Sequence, residues 1–124
     1  MQKLFHAVVI AILAVAPIAA RQKANTDVLI PIHQFVDAFN KGDTKAAIAA
    51  CNYSTFIIDE FPPHEWHGTG ACTKWMSDYE ADATKNSITD GIVTLGTPTH
   101  VDVSGDRAYA ACRATTPISR RARP

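Results

Sequence analysis

Asp59 and Glu60 follow the apolar segment Phe56-Ile57-Ile58, and His64, Glu65, Trp66 and His67 come close behind them. Carboxylates at the end of an apolar strand can take a proton from a carbon next to a carbonyl, provided that a donor holds the enolate oxygen. Asp59 or Glu60 would be that base, with His64, Trp66 or Tyr79 as donor. The plainer alternative is that both carboxylates end a strand and face solvent or bond the amides of the following loop. His64 and His67, with Asp59, Glu60 and Glu65 nearby, carry metal-ligand chemistry. Their His-x-x-His spacing on a Pro-flanked loop is looser than that of zinc sites, so no metal and no cofactor is expected.

The aromatic residues around this cluster are the candidates for ligand contact. Trp66 lies on a loop flanked by Gly68 and His67, where a large ring can cover the mouth of a cavity. Trp75 and Tyr79 recur with Cys72 at helical spacing, which suits core packing or the inner wall of a cavity. Phe56, on the strand, completes the ligand-binding set. The chain has no phosphate-binding glycine loop, no nucleophile elbow and no Cys-x-x-Cys, which argues against nucleotide hydrolysis, serine hydrolase chemistry and thiol redox exchange.

These residues need a scaffold, and the periodicity supplies one. Val28, Leu29, Ile32, Phe35, Val36 and Phe39 share one helical face, with a cap at Asn25, Thr26 or Asp27 and Pro31 in the first turn. Gly42 can close that helix in the left-handed conformation, and Asp43 caps an alanine-rich second helix over 44–51. A strand at 56–58, the Phe61-Pro62-Pro63 break and the 64–67 loop lead into a third helix over 70–85. On it Cys72, Trp75, Met76, Tyr79 and Ala83 face inward, and Lys74, Ser77, Asp78 and Asp82 face outward. Strands follow at 92–95, 100–103 and 107–112, with a bend at Gly96-Thr97-Pro98 and a turn at Ser104-Gly105-Asp106. Helices first and a strand meander second predict an α+β domain with helices packed on an antiparallel sheet.

The ends of the chain differ from this body. Residues 1–20 carry Lys3 and then an apolar run of 15 residues from Leu4 to Ile18, the layout of a signal peptide. A spanning helix needs about 20 apolar residues. The expectation is therefore a secreted or periplasmic protein with no membrane contact after signal removal, the alternative being a retained anchor. Export implies an oxidising compartment, where Cys51 and Cys72 could bridge and leave Cys112 over, or all three thiols could stay free. Residues 21–112 hold seven basic against twelve acidic side chains, a net −5 that disfavours nucleic acid. Residues 113–124 read as a basic, irregular tail containing Arg113, Arg120, Arg121 and Arg123. Because the pattern breaks in mid-strand, the expectation is that strand sequence has been replaced there, as by a reading-frame change; a disordered tail that touches anionic partners is the other reading.

Two local patterns carry a family resemblance. The first is Phe35-Val36-Asp37-Ala38-Phe39-Asn40-Lys41-Gly42-Asp43 ahead of the alanine-rich helix. The second is Ile57-Ile58-Asp59 followed by an aromatic-rich loop and a glycine-led helix. In these patterns and in element order, residues 26–112 resemble the nuclear-transport-factor-2-like superfamily, which includes ketosteroid isomerase and small polyketide cyclases. The resemblance implies a cone-shaped fold, in which a curved antiparallel sheet wraps a long helix around an apolar cavity, here incomplete at its C-terminal end. It also implies a small hydrophobic ligand and possible homodimerisation through the sheet. Neither carboxylate aligns with the family's base, so no catalytic residue is carried over. Binding without catalysis is the leading expectation; an isomerase, cyclase or dehydratase is the alternative, and a dimerising interaction module is a third.

Overall fold

The computed structural model describes residues 27–89, 91–117 and 119–120. The expected signal peptide, the caps Asn25 and Thr26, and the end of the basic tail lie outside these residues. Helix α1 spans Ile30–Asn40 and has no side-chain cap, with Leu29 at its N-cap. It starts later than its apolar pattern suggests because Pro31 sits in its first turn, where a missing N–H costs nothing. At its end Gly42 takes φ +69°. The Asp43 amide donates to Ala38 O at 2.9 Å and the Gly42 amide to Phe39 O at 3.0 Å, which satisfies two carbonyls of the last turn. Helix α2, Thr44–Ala49, begins where the Ala46 amide donates to Asp43 Oδ1 at 3.0 Å. Ala47 is fully buried there, as close helix packing requires.

Strands β1 (Ser54–Ile58) and β2 (Glu65–Thr69) form an antiparallel hairpin in which Ile57 faces Trp66 and Phe56 faces His67. The expected 64–67 loop is therefore mostly strand. Its alternation, Glu65 out, Trp66 in, His67 out, is a strand period that the flanking Pro and Gly residues obscure. The Asp59 amide donates to His64 O at 3.0 Å, and the His64 amide to Phe61 O at 2.9 Å, closing the connecting turn. Gly70, at φ +76°, caps the long helix α3, Ala71–Lys85. A disulfide between Cys51 and Cys72 ties the end of α2 to the first turn of α3.

Beyond α3, Ile88–Thr89 (β3) pairs with Ser119–Arg120 (β6), and Thr94–Ser104 (β4) pairs with Arg107–Thr115 (β5). The β4–β5 hairpin absorbs Gly96-Thr97-Pro98 as an irregularity in register rather than a break, so β4 is one strand instead of two. Its partner β5 runs three residues past 112, and β6 lies within the stretch read as an irregular tail. The architecture is α+β, and among the described residues the strands form three two-stranded antiparallel pairs. The buried core is Ala38, Ala47, Trp66, Ala71, Cys72, Trp75 and Met76, with Phe35, Phe39, Ile48, Ile57 and Phe61 packed against it. None of these residues comes from β4–β5. Leu95, Pro98, Val101, Val103, Ala108, Ala110, Cys112 and Ala114 share one apolar side of that hairpin by register, and Val103 is 41% exposed.

Candidate functional site

An aromatic cluster occupies the space between α1, α3 and the β1–β2 turn. Phe35 and Phe39 stand one turn apart on α1, and Trp75 and Tyr79 one turn apart on α3. Phe61, from the turn, closes the set. Trp75 is its hub, with ring centroids 5.7 Å from Tyr79, 5.8 Å from Phe35, 5.9 Å from Phe39 and 6.3 Å from Phe61. Beside these rings lies a partly open cavity of about 260 Å³, just below the range of about 300–1,000 Å³ usual for small-molecule sites. Ile88, Val93 and Thr116 line its far side, and Asp59, Glu60 and Asp82 supply its charges.

Asp59 is held in place from two sides. The Trp75 indole N–H donates to its Oδ2 at 2.9 Å, and the Glu60 amide to its Oδ1 at 2.7 Å. Its negative charge, after the larger effect of burial, raises the Tyr79 hydroxyl above its ordinary pKa of 10.0. Gly91 leaves room for that hydroxyl, since a methyl group there would approach it to 3.2 Å. Val93 is fixed by Asn40, whose side-chain amide donates to Val93 O and accepts from Val93 N, both at 2.8 Å. The end of α1 thereby anchors the segment entering β4.

The expected ligand contacts divide in two. Trp75 and Tyr79 line the cavity. Trp66 does not cover its mouth: it is 3% exposed, packs on Phe61 and donates its indole N–H to Asp78 Oδ2 at 2.8 Å. Strand alternation turns it inward, onto α3. The same alternation turns Phe56 outward, 59% exposed beside His67, away from the cavity. Among the carboxylates, Asp59 is half-buried on the cavity wall and Glu60 is exposed at its rim. His64 is exposed, with Nδ1 3.3 Å from Asp59 O, and does not line the cavity. Among the described residues, no three His, Cys, Asp or Glu side chains gather as a metal site.

Three contributors escaped the sequence reading. Phe61 looked like part of a proline break, whereas the turn folds its ring back over Trp75. Asp82 was assigned to the polar face of the third helix. The spacing 75, 79, 82 is nevertheless that of one helical face, and this signal was available. Asn40 was visible only as a helix terminus. Asp78, by contrast, lies outside the cavity. Hydrogen bonds from Lys74, at 2.9 and 3.1 Å, and then from the Trp66 indole hold its pKa below the ordinary 3.8.

Among the described residues, no helix is long and apolar enough to cross a membrane. The intramolecular disulfide is compatible with an extracellular location. Compared with protein-family models, curated proteins and solved structures, the chain matches none of them.

Proposed function

We propose that this chain is an exported domain of nuclear-transport-factor-2-like architecture that binds a small, largely apolar molecule in the cavity around Tyr79. The observation that carries the reading is five aromatic side chains lining one partly open cavity between the helices. Protein interiors are close-packed, and rings that face a void lose their dispersion contacts on that side. A ligand of matching size would restore those contacts and shed its own apolar surface from water. Export is supported by the apolar run at residues 4–18 and by the disulfide.

Catalysis by carboxylate-assisted proton transfer is the second reading, and the position of Asp59 on the cavity wall favours it. Both Asp59 oxygens already accept hydrogen bonds, from Trp75 and from the Glu60 amide, which suits a fixed anion that orients a ligand. Screening small aromatic and alicyclic compounds by thermal shift and tryptophan fluorescence tests the binding reading. Compounds that raise the melting temperature should quench Trp75, and Trp75→Phe should remove the quench while Trp66→Phe keeps it. Quenching that survives in Trp75→Phe and disappears in Trp66→Phe would put the ligand elsewhere. For the second reading, NMR should show a bound ketone exchanging its α-hydrogens for deuterium faster than in buffer, with the acceleration lost in Asp59→Asn; an unaccelerated exchange would reject it.

A further inference from the structure

The lining of the cavity narrows the class of ligand, an inference that rests on the binding reading above. Among the described residues, its charged groups are Asp59, Glu60 and Asp82, with no lysine or arginine. Among the described residues, the ion pair formed is Lys74–Asp78, outside the cavity, so none of these three carboxylates has a cationic partner there. The walls are π-systems, whose faces carry negative charge and attract cations within about 6 Å of the ring centroid. Trp75 and Tyr79 stack with an interplanar angle of 20°, and Phe61 meets Tyr79 edge-on at 64°. The Trp75 indole donates its N–H to Asp59, which pushes electron density back into the ring that lines the cavity. Asp59 also acts on Tyr79, whose pKa is raised first by burial and then by this neighbouring negative charge.

We propose that the cavity selects organic cations, specifically small ammonium compounds with an apolar or aromatic body. The ammonium group sits against Tyr79 and Trp75 and within reach of Asp59 and Asp82, while the apolar body fills the space toward Val36, Ile88 and Val93. Neutral ligands of the same shape gain the packing but not the charge interaction. Anionic ones meet three carboxylates and are excluded.

The test uses an isosteric pair, benzyltrimethylammonium and neopentylbenzene, which differ only by nitrogen for carbon, with phenylacetate as the anion. Dissociation constants are read from tryptophan fluorescence on the full chain. Benzyltrimethylammonium should bind at least about tenfold tighter than neopentylbenzene. The preference should shrink with added salt, and phenylacetate should not bind. Asp59→Asn should lower the cation-to-neutral ratio, and Asp82→Asn, whose side chain supports no hydrogen bond in the core, should lower it about threefold even if the first variant folds poorly. Equal or tighter binding of neopentylbenzene overturns the cation preference and leaves the apolar cavity standing. Failure of both compounds to bind overturns both.

Discussion

Breaking the Cys51–Cys72 disulfide should cost this domain a large share of its stability. The bridge spans a sequence separation of 21. Closing a loop of that length removes chain entropy from the unfolded state worth about 3 kcal/mol. Small domains have only about 5–15 kcal/mol in total. At about 4–8 °C per kcal/mol for a domain near this size, the melting temperature should fall by about 12–24 °C. The loss should reach the cavity, because Cys72 lies one turn before Trp75 and two before Tyr79 on the same face of α3. Circular dichroism melts with and without reductant measure the effect, and Cys51→Ala/Cys72→Ala repeats it without reductant. Reduction keeps both sulfur atoms in place, so it separates the loop term from lost packing at Cys72, which is 4% exposed. A reduced protein melting within about 4 °C of the oxidised one would refute the loop-closure reasoning.

Three further outcomes follow from the described contacts. Asn40→Ala strips both hydrogen-bond partners from half-buried Val93 and should cost about 1–3 kcal/mol in a chemical melt; an unchanged midpoint would mean that this clamp contributes nothing. Trp66→Ala should cost about 3–5 kcal/mol because the ring is 3% exposed, whereas Phe56→Ala should stay within about 0.5 kcal/mol, and the reverse order would contradict the hairpin's register. Tyr79, whose pKa is raised in the fold, contributes stability that is present below the unfolded value near 10.0 and lost as pH rises through the folded value. A spectrophotometric titration should show one of the three tyrosines ionising late and moving down in Asp59→Asn; simultaneous ionisation of all three would contradict it.

Local patterns written in the sequence were enough for the α+β class, the left-handed closure at Gly42, the Asp43 cap and the third helix. Each depends on residues within a few positions of one another, where backbone sterics and side-chain periodicity decide the outcome. The facing of Trp75 and Tyr79 was readable for the same reason. The cavity's remaining composition was not. Which way Trp66 and Phe56 point depends on pairing register, and a shift of one residue exchanges the two faces of a strand. Phe61 joins the aromatic wall only because the β1–β2 turn reverses the chain over α3, and Asn40 meets Val93 across a sequence separation of 53. Sequence alone determined the helices and the strands around 56–58 and 107–112, because those preferences are settled between near neighbours, but not the strands at 65–69 and 119–120. Only the tertiary structure decided which side chains share the cavity, because loop closure and strand register bring together residues that have no local reason to meet.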